Sequence, residues 1–170
     1  MIIYTKKGDF GFTSLINNKK VAKTNVKIEV LGNIDELDSF LGLLITKIKN
    51  KKDRVFLVSI QKDLYKIMSY FSGAKISLGF IEKRVLLFEK KIDSLKKKMF
   101  LVANRFVFFS ENEVSSWFNI LRTICRRTER SVCRFLIKDR YLIIKYFNRL
   151  SDLLFVLAFS YNKKNSFKSL

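Results

Sequence analysis

Five arginines, Arg122, Arg126, Arg127, Arg130 and Arg134, fall within thirteen residues, with Glu129 among them. On a helix each residue turns ~100°, so Arg122, Arg126 and Glu129 share one stripe. Guanidiniums on one stripe repel each other unless an anion lies between them. A polyphosphate suits such a place, because each planar fork can bind two phosphate oxygens. The plainer alternative is a solvated basic face on a chain that is basic throughout.

Three further segments carry groups of the same kind. Residues 4–14 hold two glycines, Gly8 and Gly11, beside the hydroxyls of Thr5, Thr13 and Ser14 and the charge of Lys6, with Lys23 downstream. A loop of this composition can cradle a triphosphate through its backbone N–H groups, although it lacks the spacing of a P-loop. Residues 32–39 place Asp35 and Glu36 early in an expected helix, which dipole complementarity alone would favour. Residues 146–155 place Asn148 and Asp152 four apart, on one face of a largely apolar helix. Polar groups there need partners, whether in the core or in a site.

Long helices must position these groups. The 170 residues include no Pro and only 6 Gly, and 48% of them are hydrophobic, 17 being Phe. That composition favours a single folded domain rich in helix. Residues 1–25 read as an ordered loop, and Val26–Leu31 as a short extended piece ending at Gly32. Asn33 and Glu36 then look like a capping box that opens a helix over about 34–49. Asp53 reads as the cap of a second helix over about 54–72, with Phe56, Leu57, Ile60, Leu64, Ile67 and Met68 at helical spacing. Helices follow over about 80–94, 113–137 and 141–163, and a shorter one is possible over about 97–108. The expectation is an all-α domain over 1–170. It comprises an ordered loop that could cradle a triphosphate (1–25) and a five-helix bundle (33–164).

The net charge of +19 invites a polyanion partner. The crowding of Lys, Asn, Ile and Phe also fits the codon bias of an AT-rich genome. No RNA- or DNA-binding motif accompanies the charge, so a basic helical nucleic-acid-binding protein is the alternative reading and no specific nucleic acid is expected. Cys125 and Cys133 would lie about 12 Å apart along a helix, too far for a disulfide. They read as free thiols of a reducing cytoplasm. Without His, a zinc site is not expected. Lys6, Lys7 and Asp9 interrupt the opening apolar residues, so no signal segment is read there. Lys145, Arg149 and Asp152 interrupt the most apolar stretch, so no membrane span is expected.

In this order, the segments resemble the ATP-dependent corrinoid (cob(I)alamin) adenosyltransferases of the trimeric helix-bundle type. That family opens on Y-T-R/K-T-G-D-x-G-x-T/S-T/S, as residues 4–14 nearly do. Its G-x-x-D-E-L-N/S-S segment is similar to 32–39, and its Q-x-D-L-F/Y to Gln61–Tyr65. Its R-T/A-V/I-C-R-R-A/T-E-R is similar to 122–130, and its Y-L/F-N-R-L-S-D-x-L-F to 146–155. The chain departs from the pattern in four places. A Pro and two Gly are missing from the segment 106–112. Asn119 stands where the family has His, Lys7 stands in place of a Thr, and Asp38 in place of Asn or Ser. A degenerate, inactive member is therefore a second alternative.

The resemblance implies transfer of the 5′-deoxyadenosyl group of ATP to cobalt(I) of cobalamin, releasing triphosphate and forming adenosylcobalamin. Cobalt is itself the nucleophile there, so no Ser, Cys or His is needed. The protein's part is positioning and stabilisation of leaving-group charge. By position, Thr5, Lys6, Lys7, Gly8, Thr13, Ser14 and Lys23 would line the triphosphate. Arg126, Arg127, Thr128, Glu129, Arg130 and Asn148 would complete the ATP site. Arg122, Arg126, Asp35 and Asp152 would be the reaction-centre residues, with Asp35 pairing Arg126 across a subunit interface and Asp152 holding an arginine of the stripe. Phe106 would close the lower face of the corrinoid. The implied assembly is a cytoplasmic homotrimer. Magnesium would arrive on ATP, and a reductase or an adenosylcobalamin-dependent enzyme would be the partner protein.

Overall fold

The computed structural model describes residues 4, 6, 8–96, 108–110, 112–135 and 137–162. Thr5, Lys7, Phe106 and, apart from Phe108, the possible helix over 97–108 lie outside the described residues. The elements run β1 (Phe12–Ser14), β2 (Lys20–Ala22), α1 (Val26–Lys47), α2 (Lys51–Phe71), α3 (Phe80–Lys96), α4 (Glu113–Cys133) and α5 (Arg140–Tyr161). Five helices form the expected all-α bundle. The loop read over 1–25 contains one small antiparallel hairpin, in which Thr13 faces Val21.

Two helix starts differ from the sequence expectation. The extended piece at Val26–Leu31 is the first part of α1, and Gly32 and Asn33 lie inside that helix. Its cap is Asn25, whose Oδ1 accepts from Lys27 N at 2.9 Å. β-Branched Val26, Ile28 and Val30 suggest a strand in isolation. However, Val30 and Ile34 are fully buried one turn apart on the core face, and burial outweighs a propensity difference of well under 1 kcal/mol per residue. In α2 the cap is Asn50, which accepts from the N–H groups of Lys52 (2.9 Å) and Asp53 (3.1 Å). Asp53, expected as cap, turns inward instead to Lys91 Nζ at 3.0 Å and Tyr161 OH at 2.8 Å. α4 stops at Cys133, four residues earlier than expected.

α4 packs on α5 and α1, α5 on α3, and α1 on α2. α2 and α3 are joined by a buried ion pair. Arg84 Nε lies 2.5 Å from Asp63 Oδ2, and Arg84 Nη2 donates to Asp63 Oδ1 at 3.2 Å. Arg84 Nη1 reaches Ser59 Oγ at 3.0 Å, and the buried Tyr146 hydroxyl lies 3.4 Å from Asp63 Oδ2. Burial pushes the Asp63 carboxyl up, against the pull of Arg84. The Asp63 carboxylate in the Gln61–Tyr65 segment thus ties three helices and stays inside the bundle.

Candidate functional site

α4 presents its arginines to two different neighbours. Toward α1, Arg127 pairs with Glu36 and Arg134 with Glu29. Between those pairs Thr128 is buried, its hydroxyl 3.1 Å from both the Asn33 and Ile124 carbonyls. Toward α5, Asn148 Nδ2 donates to Glu129 Oε1 at 3.2 Å, and the buried Cys125 thiol donates to the Phe147 carbonyl at 3.3 Å. Burial pushes that thiol well up, so it stays protonated. Cys133 is free and exposed.

Arg122 and Arg126 face elsewhere. They line a cavity of about 670 Å³ together with Glu89, Asp93 and Lys96 of α3 and Arg149, Ser151, Asp152 and Phe155 of α5. Arg122 Nε donates to Asn119 Oδ1 at 2.9 Å, so the residue that departs from the family pattern holds the first stripe arginine. Among the described residues no salt bridge reaches Arg122, Arg126 or Arg130. Asp152, expected to hold a stripe arginine, accepts within the chain from Arg149 Nη1 at 2.8 Å, and no ion pair joins it to a stripe arginine among the described residues. The two residues are one helical turn apart on α5, where side chains three apart are neighbours. Arg149 Nε also donates to Glu89 Oε1 at 3.0 Å. Glu89, Arg149 and Phe155 were not singled out from sequence as site residues. Arg149 lies between Asn148 and Asp152 in the 146–155 segment, so the signal was present. Glu89 sits in α3, where no motif pointed.

Chemically, the cavity offers two guanidiniums free of carboxylates and an apolar wall from Phe155, which packs edge-on to Phe109 at 6.0 Å. An anion with an attached flat apolar body would satisfy both. Asp35, the expected partner of Arg126, lies exposed on α1, and within the chain no ion pair joins them among the described residues. One turn on, Asp38 has a buried Oδ1 without a partner. Burial pushes its carboxyl up, with Gln61 opposing and Asp35 adding to the rise.

The N-terminal loop assembles several of its expected residues. Lys23 N donates to Gly11 O at 2.8 Å, which closes the base of the hairpin. The Lys23 ammonium then stands 3.3 Å from where a Cβ on Gly8 would be, so a side chain at position 8 would displace the charge. Strand alternation sends Thr13 and Ser14 to opposite faces. The hairpin is pinned to the far end of α2 by Ile16 N donating to Ser72 Oγ at 3.0 Å. There Gly73 adopts φ +95° and a Cβ would meet Asn17 Nδ2 at 2.5 Å, so glycine is required on both counts. Among the described residues no hydrogen bond or ion pair joins the hairpin to the α3–α4–α5 cavity.

Comparison with known proteins gives one consistent result. The family described as cobalamin adenosyltransferase matches residues 3–161. The chain is 31% identical, over 93% of its length, to the corrinoid adenosyltransferase PduO of Citrobacter freundii, and covers 49% of that protein. It therefore spans about half the length of this curated relative. It is 30% identical to the corrinoid adenosyltransferase of Bacillus subtilis (strain 168), covering 93% of this chain and 85% of the relative. Among solved structures it is similar to an alanine-for-phenylalanine variant of the PduO-type ATP:corrinoid adenosyltransferase from Lactobacillus reuteri complexed with cobalamin and ATP. That likeness has a TM-score of 0.81 at 26% identity, over 92% of this chain and 91% of that one. A lysine-for-arginine variant of the same enzyme complexed with ATP is similar at a TM-score of 0.76 and 29% identity, covering 92% of each chain.

Proposed function

The chain belongs to the cobalamin adenosyltransferase family, and from that premise we propose that it moves the 5′-deoxyadenosyl group of ATP to the cobalt of a reduced corrinoid. The cobalt(I) electron pair forms the bond to C5′, and the C–O bond pair leaves with triphosphate. What supports the reading is the pair of guanidiniums, Arg122 and Arg126, exposed to one cavity with no carboxylate of their own. Planar forks suit the oxygens of a triphosphate and the charge that grows on it as it leaves. Phe155 offers the same cavity a flat apolar wall against which a corrin ring can lie.

Lys6, Gly8, Lys23 and one of the Thr13 and Ser14 hydroxyls are proposed to hold the triphosphate from the hairpin, with Thr5 and Lys7 beside them. Arg126 and Arg130 are proposed to reach it from α4. Arg127, Thr128 and Glu129 act mainly by holding α4 against α1 and α5. Because hairpin and cavity are separate within one chain, we propose that they meet between chains of a homotrimer, with Asp35 pairing an arginine of the neighbouring copy. Magnesium is proposed only as the counter-ion of ATP. Phe106 is proposed to cover the lower corrinoid face. The setting is proposed to be the cytoplasm, with a reductase or an adenosylcobalamin-dependent enzyme as partner. No helix among the described residues is long and apolar enough to cross a membrane.

Incubating the protein with ATP and chemically reduced cobalamin, and following adenosylcobalamin by its spectrum, tests the activity. A folded protein that forms no product would overturn it. Sedimentation of a fully active monomer at micromolar concentration would overturn the intersubunit site.

A further inference from the structure

Arg149 lies on the cavity wall and is the only cation there that pairs with carboxylates of two helices among the described residues. The cavity holds four cations (Lys96, Arg122, Arg126 and Arg149) and three carboxylates (Glu89, Asp93 and Asp152). Arg149 takes two of the three, through Nε to Glu89 Oε1 at 3.0 Å and Nη1 to Asp152 Oδ2 at 2.8 Å. Asp93 stays on α3, one turn from Lys96. This division leaves Asp93 as the one cavity carboxylate not taken by Arg149, and Arg122 and Arg126 with no ion pair among the described residues. The geometry is specific to a planar fork, since one guanidinium spans two helices with separate nitrogens.

We propose that Arg149 is a positioning residue for anion binding: it sequesters the Asp152 and Glu89 carboxylates so that the forks of Arg122 and Arg126 remain open to the ligand's phosphates. The inference rests on the function proposed above and names how that site keeps its charge available. Without Arg149, Asp152 is a free carboxylate in the same cavity as the two stripe arginines. It would either pair with one of them or repel an incoming polyphosphate, and both effects weaken binding in a partly enclosed site of reduced dielectric. Arg149 itself need not touch the ligand. Its effect therefore belongs to binding, and it is reversible by removing the carboxylate it restrains.

The test compares wild type, Arg149→Met, Arg149→Lys and the double variant Arg149→Met with Asp152→Asn, measuring ATP dissociation constants by calorimetry and the KM for ATP in the adenosylation assay. The expected result is an affinity loss of about tenfold or more in Arg149→Met, mostly in KM. Arg149→Lys should lose less, because an ammonium keeps the charge without spanning both acids. The double variant should recover most of the ATP affinity, whatever its turnover, because the released charge is gone. A merely structural Arg149 would lower Tm, leave KM of the folded protein unchanged, and make the double variant no better a binder than the single one. That outcome would overturn the inference while leaving the activity intact. If Arg149→Met fails to fold, Arg149→Lys with and without Asp152→Asn carries the same comparison, and no recovery there overturns it equally. A wild-type protein that binds no ATP would bring down the proposed function, and this inference with it.

Discussion

The α1-facing and cavity-facing edges of α4 carry the same residue type to opposite ends. Arg127 and Arg134 meet Glu36 and Glu29, so their charge holds two helices together. Arg122 and Arg126, on another face of the same helix, meet a cavity in which Arg149 already occupies two of the carboxylates. A cluster of arginines in sequence is thus not one site. What separates a paired arginine from an open one is whether the neighbouring helix brings an acid to it. Arg84 marks the limit of the first kind, being paired with Asp63 inside the bundle.

The sharpest way to probe this contrast is at that limit. Arg84→Met leaves the Asp63 carboxyl buried without its cation, and removal of one partner of such a pair costs about 3–5 kcal/mol. Urea denaturation should show this loss, while the folded fraction keeps its ATP affinity. An unchanged midpoint would mean that the pair contributes nothing to the bundle.

At the cavity, Arg126→Lys keeps the charge and loses the fork. Adenosylation should slow by about tenfold, equivalent to about 1.4 kcal/mol, with Tm unmoved. Unaltered kinetics would remove Arg126 from the site and erase the difference between the two edges of α4.

On the α1 edge, Arg127→Gln and Arg134→Gln break half-exposed pairs. Each should cost at most about 1 kcal/mol of stability, less at high salt, with ATP affinity essentially unchanged. A large loss of ATP affinity in Arg127→Gln would place that arginine with Arg126 and break the comparison from the other side.

The smallest effect is expected at Asp38. Its folded carboxyl is raised above the ordinary value of 3.8, so the ionised form is penalised in the native state. Below pH 3.8 the group is neutral in both states and no penalty exists. As pH rises through the folded value the penalty grows and stability is lost. Asp38→Asn should therefore match wild type in acid and melt at a higher temperature at pH 8. A variant equally stable at all pH values would show that Asp38 is paid no such penalty, for instance by pairing in an assembly.

Periodicity and composition already contained much of this molecule. The absence of Pro, the spacing of Leu57, Ile60, Leu64 and Ile67, and the polar breaks near 110 and 139 are local signals, and local hydrogen bonding and amphipathic burial act on them directly. The long segments 122–130 and 146–155 were legible for the same reason, since each lies on one helix and keeps its spacing in the fold. The start of α1 lies earlier than local signals place it, because Asn25 and Asn33 are equally good caps in isolation and the choice between them depends on burying Val30 against other helices. The cavity was legible only in its α4 and α5 halves. Glu89 comes from α3, 33 residues before Arg122 in the sequence, and no spacing rule links the two. Which arginines stay free for an anion was decided by tertiary structure alone, because a charge is satisfied by whatever acid the packing brings within a few ångströms.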